Sequence, residues 1–469
     1  MTKRKNKPRY HFPCTDAGNA ELIAELYGDI LRFDHKQGRW LIWNKRSRRW
    51  SEDKTKDIRK FAIAAARRRR TGAARLADAK KSKPEIQWSY GSEDRHRVEA
   101  ALELAKGLAP ISDTGEGWDA DQWILGVANG VVNLKAGKLR EERPEDRITK
   151  HSPVPFVPDA KCTRFEQFLN EVFCADGPLI EYIHRVMGYC LCGSVQEHCL
   201  FCWYGCGANG KSTLSIVLDY ISGDYAVNLP FSALEMTHRN LNDLVTLAGA
   251  RLATASETNE GVRLNEARIK VLTGGEPITA RKLYQEQFTF PATHKLVLSF
   301  NHKPVIADDS VGMWRRVHLI PFLRVFKEEE QDKELLAKLK IEAPGILALA
   351  VRGCLHYLKS GLNAPPAVIK ATDEYHAEAD HLGKVCIVAD PESCVPSSCV
   401  WQKYLLWVRE NKEVPLSRQV FAARMQRRGY RKGRTGHGGT HVWHGIRIAG
   451  DVVTDGDRLL GNFPYERSM

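Results

Sequence analysis

The sequence predicts an α/β protein built from several domains, and three observations carry that prediction. A glycine-rich loop, Gly205-Cys-Gly-Ala-Asn-Gly-Lys-Ser212, follows an apolar strand pattern at 199–204 and opens an apolar helical pattern from Leu214 to Ile221. Residues 199–330 then alternate strand, helix and turn patterns, the order of a sheet covered by helices. The 469 residues are enough for roughly two to four domains.

In chain order, residues 10–53 carry Trp40, Trp43 and Trp50 among arginines at hairpin spacing. Such a hairpin could stack on nucleobases, but tryptophans this close more often make a small core, which is the expectation. Residues 56–106 read as helical. They contain Arg67-Arg-Arg-Arg70, either a phosphate-binding run or an exposed helix face. Together these segments predict a basic N-terminal α+β domain over 1–110. Within 118–198, Asn129-Gly130 sits between apolar segments as a hairpin signal, and helical patterns follow around 164–174 and 178–192. Residues 331–360 and 366–382 read as a helical extension spanning 331–385. Residues 400–450 read as helix, helix and a Gly-rich basic hairpin, so 395–469 is expected to be a winged-helix-like domain.

Composition narrows the class. Hydrophobic content of 43% and charged content of 27% fit a globular protein, and no apolar run approaches 18 residues. The basic N-terminus lacks the apolar core of a signal peptide, so a soluble protein without a membrane partner is expected. The net charge is +13, unevenly spread. Residues 1–100 hold 26 Lys+Arg against 13 Asp+Glu, and 401–469 hold 13 against 6, leaving an acidic centre. Basic ends suit a polyanion, because phosphate contacts release condensed counterions; the alternative is solvated tails. Cys190, Cys192, Cys199, Cys202 and Cys206 cluster in sequence, but 199–204 reads as a buried strand, so small buried hydrophobes are expected rather than zinc ligands.

The phosphate loop holds the sharpest chemistry. Gly205, Gly207, Asn209, Gly210, Lys211, Ser212 and Thr213 would cradle a nucleotide, with backbone N–H groups and a helix N-terminus facing the phosphates. Lys211 would reach the β/γ-phosphates of ATP and Ser212 would ligate Mg²⁺. The strand Leu252-Ala-Thr-Ala-Ser256 ends in Glu257, placed to polarise water or hold Mg²⁺. The strand 295–300 ends in Asn301, which could orient water and sense the γ-phosphate. Arg315 and Arg316 precede the strand 317–320 and could neutralise charge developing on that phosphate. Near the C-terminus, Arg418, Arg424, Arg427 and Arg428 decorate a helix, and Arg431, Lys432 and Arg434 form a basic wing. That pattern predicts duplex DNA binding, with a protein-contact module as the alternative. His437, His441 and His444 lack nearby thiols or carboxylates and are not expected to hold metal.

Taken together, these blocks resemble the superfamily 3 helicases, in the branch of phage and plasmid primase–helicases and the poxvirus primase–helicase. The resemblance is carried by Gly-Tyr-Cys-Leu-Cys-Gly193, Gly-Ala-Asn-Gly-Lys-Ser-Thr213, Ala-Ser-Glu-Thr258, Leu-Thr-Gly-Gly-Glu276, Ile-Thr-Ala-Arg-Lys282, Ser-Phe-Asn-His-Lys-Pro304 and Met-Trp-Arg-Arg316. Upstream, Asn129-Gly-Val-Val-Asn-Leu134 and Asp146-Arg-Ile-Thr-Lys150 are similar to the helical domain that precedes the motor. The resemblance implies a P-loop AAA+-like motor over 199–330, with a helical domain over 118–198. It implies a hexameric ring that binds ATP and Mg²⁺ between subunits and acts on single-stranded and forked DNA. Arg315 or Arg316 would then serve the neighbour's nucleotide. A pore hairpin between Gly274 and Asn301 would grip DNA through Arg281 and Lys282, with Lys295 a weaker candidate. One departure is that Ser256, not a second acid, precedes Glu257; Glu260 is the weaker alternative base. Asp119-x-Asp121 lies inside the helical-domain resemblance, and the first 110 residues are short of apolar strands. No primase is therefore expected in this chain, and a separate primase or replication initiator would partner it. The expectation is an ATP-dependent replicative DNA helicase of a phage or mobile element, in the cytoplasm of a bacterial host. The competing expectations are a small-molecule phosphotransferase and an ATP-switched origin-binding or assembly protein that does not unwind.

Overall fold

A computed structural model describes residues 12–236, 242–257, 261–281, 286–308, 310–380, 385, 387–411, 415–435 and 439–448. The chain divides into two compact units, Met1–Pro304 with Arg315–Ala371, and Val305–Trp314 with Thr372–Met469.

The larger unit opens with α1 (Asp16–Tyr27), β1 (Leu31–Asp34), β2 (Arg39–Asn44), β3 (Arg49–Glu52), α2 (Ile58–Ala73), α3 (Ala79–Gly91), α4 (Arg95–Ala105) and β4 (Ser112–Asp113). Thr15 starts α1 by accepting the Gly18 N–H at 3.1 Å, satisfying one of the free donors of the first turn. The strands form one sheet of order β3-β2-β1-β4, and α1, α2 and α4 bury Leu22, Ile23, Ala65 and Leu102 with Leu31 and Phe33. The tryptophans make a core: Trp43 and Trp50 are buried with centroids 5.6 Å apart, and Trp118 closes on Trp50 at 5.3 Å. The arginine run is largely engaged within the chain. Arg67 and Arg70 each pair with Glu93 at 2.9 Å, while buried Arg69 meets Glu85 and the Pro13 carbonyl, both at 3.3 Å.

The next segment is β first and helical second. β5 (Ile124–Val127), β6 (Gly130–Asn133) and β7 (Lys138–Arg140) form an antiparallel meander, turning at the Asn129-Gly130 signal. α5 (Thr163–Val172) and α6 (Gly177–Leu191) follow. The larger unit continues through β8 (Leu200–Tyr204), α7 (Lys211–Ser222), β9 (Ala226–Asn228), β10 (Leu252–Glu257), α8 (Glu266–Thr273), β11 (Ile278–Arg281), β12 (Gln287–Phe290) and β13 (Lys295–Phe300). After α9 (Val311–Trp314), which belongs to the smaller unit, it resumes with β14 (Val317–Pro321), α10 (Leu335–Ile341) and α11 (Ala343–Ser360). α12 (Pro366–Ala379) leads into the smaller unit.

The central sheet is five-stranded and wholly parallel, in the order β14-β8-β13-β10-β9. Its strands read as continuous apolar runs because both faces are covered. The segment expected as a helical domain at 118–198, much of the expected motor at 199–330 and the part of the helical extension up to residue 371 share one core, whereas residues 372–385 fall in the smaller unit. Leu125, Phe168, Val186, Phe201, Leu218, Val297, Ile320 and Leu347 all belong to the same buried cluster. The physical cause is a tight crossing of α6 and α11. A Cβ on Gly188 would lie 2.0 Å from the Cys354 nitrogen, and one on Gly353 would lie 1.9 Å from the His184 carbonyl oxygen. Arg251 adds a polar staple, donating to the Leu191 carbonyl at 2.8 Å and the Ile124 carbonyl at 2.7 Å, so that β10, α6 and the meander are held together.

The smaller unit contains β15 (Ile387–Pro396), α13 (Ser397–Glu410), α14 (Arg418–Arg427), β16 (Arg431–Thr435) and β17 (Thr440–Ile448). The helix, helix, hairpin order read from the sequence is present. β15 completes an antiparallel sheet of order β15-β17-β16 over a core of Tyr404, Phe421, Met425, Trp443 and Ile446. Among the described residues, no helix is long and apolar enough to cross a membrane.

Gly353→Ala should lower the unfolding free energy by about 2–3 kcal/mol by prising α11 from α6, since overpacking of a closed contact costs that order. Urea titration followed by far-UV circular dichroism reads the change, and a wild-type midpoint would refute the close approach.

Candidate functional site

The glycine-rich loop joins β8 to α7 at the C-terminal edge of the parallel sheet. Gly207 and Gly210 adopt φ values of +84° and +86°, a region that costs glycine little. Gly210 is also pressed from below, where a Cβ would meet the Val172 side chain at 2.6 Å and Phe168 at 3.1 Å. From the side, the strap Phe322–Phe326 holds the loop in shape. Its Phe322 N–H donates to the Tyr204 carbonyl at 2.7 Å and its Phe326 N–H to the Ala208 carbonyl at 2.8 Å. The Asn209 amide donates to the Phe322 carbonyl at 3.3 Å.

Inside this frame, the Lys211 ammonium is buried and surrounded by neutral oxygens. It donates to the Gly205 carbonyl, to Asn209 Oδ1 at 3.0 Å and to Asn301 Oδ1 at 3.1 Å. Loss of solvent around it holds its pKa below the ordinary lysine value. No carboxylate pairs with it among the described residues. A desolvated cation with only dipoles around it, beside the free N–H groups of a helix N-terminus, favours an incoming anion. Ser212 is exposed in the first turn of α7, next to this cation, and Thr213 follows half-buried.

The strand ends place the other candidates. Phe300 of β13 stands level with Tyr204 of β8 and with Glu257 of β10. Asn301 therefore lies beside the loop, and Glu257, which is buried, lies two strands from it, about 10 Å at the usual strand spacing. Arg315 and Arg316 sit at the opposite edge, because Val317 pairs with Leu200 whereas Pro321 pairs with Tyr204. They are about 17–20 Å from the loop of their own chain, at the rise of an extended strand. Arg315 is exposed, and Arg316 is half-buried with its Nε donating to Thr273 Oγ1 at 3.1 Å.

β11 and β12 form an antiparallel hairpin with Arg281 exposed at its described end; Lys282 and Glu260 lie outside the described residues. Lys295 is not available to DNA. It is fully buried, donates to the carbonyls of Cys192, Ser194 (3.4 Å) and Thr293 (3.2 Å), and lies 4.9 Å from the centre of the Tyr189 ring. Burial holds its pKa below the ordinary value. Cys190, Cys192, Cys199 and Cys202 are buried, and Cys206 is exposed in the phosphate loop. Among the described residues, no three His, Cys, Asp or Glu side chains gather as metal ligands. Asp119 bonds Thr149 and the Lys150 N–H, and Asp121 caps the Trp123 N–H, so both carboxylates tie down local backbone.

In the smaller unit, the basic helix is less accessible than its sequence suggests. Arg424 is buried, 4% exposed, and Arg428 pairs with Asp380; nothing is described of the Arg427 side chain. Arg418, Arg431, Lys432 and Arg434 are exposed. What sequence reasoning missed is the strap. Its Arg324 lies over the Phe326 ring at 4.6 Å and donates to the Glu171 carbonyl at 3.3 Å, linking the loop's side wall to α5. The alternation Phe322, Arg324, Phe326 was the available signal.

Residues 20–174 match the family described as "D5 N terminal like", and residues 203–316 match a family described as of unknown function, DUF5906. The chain is 29% identical to "Putative helicase L207/L206" of Acanthamoeba polyphaga mimivirus, over 56% of this chain and 30% of that protein. It is 27% identical to "Putative primase C962R" of African swine fever virus, over 42% of this chain and 22% of that protein. The chain thus spans less than a third of either relative. A solved structure of the NrS-1 C-terminal region aligns over 92% of this chain and 99% of that one, at 12% identity and a TM-score of 0.46.

Replacing Lys295 by Ala should cost about 2–4 kcal/mol, since it leaves a cavity and strands three carbonyls. Arg281→Ala should stay within about 0.5 kcal/mol of wild type, as expected of an exposed side chain. Parallel denaturant curves decide, and equal effects would contradict the assignment of Lys295 to the interior.

Proposed function

We propose, from its likeness to viral proteins named as putative helicases and a putative primase, that this chain is an ATP-dependent DNA helicase motor. The observation that carries the reading is the Lys211 ammonium, buried at the mouth of a helix N-terminus and held only by neutral oxygens. The wholly parallel sheet, with β8 flanked by β13 and β14, supports a P-loop AAA+-like motor.

Gly205, Gly207, Asn209, Gly210 and Thr213 shape the cradle. As the β- and γ-phosphates enter, Lys211 exchanges carbonyl and amide oxygens for phosphate oxygens. Asn301, released from Lys211, is then free to orient water toward the γ-phosphate. Ser212 and Glu257 would hold Mg²⁺, which neutralises charge shared by the β- and γ-phosphates. Glu257 is the candidate to polarise the attacking water. Arg315 and Arg316 lie too far from their own loop to act there, which supports their presentation to a neighbouring copy's nucleotide in a hexameric ring. Of the two, exposed Arg315 is the better-placed finger, and Arg316 is anchored by Thr273. The hairpin bearing Arg281 and Lys282 would grip single-stranded DNA, and the winged-helix-like smaller unit would recruit forked DNA. A separate primase or initiator would supply the remaining replication steps.

Lys211→Ala should abolish ATP turnover, and DNA-stimulated hydrolysis at the wild-type rate would sink the phosphate-loop assignment. Arg315→Ala should leave nucleotide affinity within about threefold while cutting kcat about 1,000-fold, in the range of a lost arginine finger. A nucleotide affinity that falls in step with kcat would place Arg315 elsewhere. The deciding experiment is fork unwinding by wild type with ATP and Mg²⁺. ATP-dependent assembly on the fork without strand separation would favour an assembly switch instead.

A further inference from the structure

The smaller unit carries an open cleft of about 340 Å³ lined by α13, α14 and the β16–β17 hairpin. Its volume falls at the low end of small-ligand sites, about 300–1,000 Å³, which is far from the footprint of a duplex groove. Its lining is polarised. Trp401 supplies an aromatic face over which the Arg418 guanidinium lies at 5.6 Å. Lys432 and His441 project from the two strands of the hairpin. Among the described residues, no carboxylate lines the cleft. Ser397 and Ser398 bring the first turn of the 14-residue α13 to the wall, where backbone N–H groups have no partner within the helix.

Each of these features answers a different part of one ligand. Cations and a helix N-terminus suit a phosphate, and an adjacent indole suits a base. The groove-reading face expected of α14 is meanwhile compromised, since Arg424 points inward and Arg428 is paired. We propose that this cleft binds one nucleotide unit, phosphate and stacked base, of a single DNA strand. The smaller unit then engages the strand itself rather than reading the major groove of a duplex. This rests on the reading that the chain acts on DNA, but not on ATP hydrolysis.

The test uses the full chain without ATP and a fluorescein-labelled dT20, compared with a blunt duplex by anisotropy across a salt series. Arg418→Ala and Lys432→Ala should each weaken dT20 binding about tenfold. Lys432→Ala should also reduce the salt slope by about 0.7, the value for one single-strand phosphate contact. Duplex affinity should change less than twofold. An oligonucleotide carrying 5-iodouracil should photocross-link at Trp401, mapped by peptide mass spectrometry, a readout that needs no substitution in the core. Unchanged dT20 affinity in both variants, an equal loss on duplex, or cross-links confined to the larger unit would overturn the proposal. Free dTMP competing as well as dT20 at equal nucleotide concentration would also overturn it, by assigning the cleft to a mononucleotide. Because no ATP is present, none of these outcomes depends on whether the motor turns over.

Discussion

A buried positive charge without a negative partner constrains much of the larger unit. An ammonium removed from water is costly, and at Lys211 the cost is met by three oxygens that must converge from separate places in the chain. The Gly205 carbonyl turns inward only because the loop bends at Gly207 and Gly210. Asn209 is aimed by the strap, and Asn301 arrives because β13 lies beside β8. α5 supports the loop from beneath at Gly210, and α5 itself belongs to the core shared with α6 and α11. The arrangement is tense in an electrostatic sense, since every group is satisfied yet a phosphate would satisfy the lysine better.

Much of this architecture was legible in the sequence. The strands β8, β10, β13 and β14 appear where apolar runs and turn residues put them, because a parallel sheet covered on both faces needs continuous apolar strands. The loop and the residues ending β10 and β13 were readable from fixed spacing. The packing of these segments into one core was not legible. Hairpin and helix periodicity report local structure, whereas the decision to share one core was made by Gly188 and Gly353, two glycines that look unremarkable in a helical pattern. The hairpin of β5 and β6 was legible at Asn129-Gly130, whereas the third strand of the meander, β7, was not. β7 has only 3 residues, Lys138–Arg140, and carries no apolar run of its own.

Cations were the least legible feature of the sites. A lysine beginning a strand and an arginine within a polar helix both read as exposed, yet Lys295 and Arg424 are interior. Arg69 and Arg251 behave the same way, each donating to backbone carbonyls that would otherwise be stranded. The net charge of +13 therefore overstates the positive surface offered to a polyanion. Sequence patterning records which side chains tolerate water, but long cationic side chains tolerate an interior that supplies carbonyls, and that supply is a tertiary property.

On the proposed roles of the phosphate loop and of Arg315, their positions at the two edges of one sheet would give each copy a donor end and an acceptor end. If catalysis joins one copy's donor to the next copy's acceptor, copies in an open row of n make n−1 complete sites, and a ring of n makes n. An isolated chain makes none. Specific activity then measures connectivity, rising with protein concentration along open rows and levelling only when the last donor finds the first acceptor.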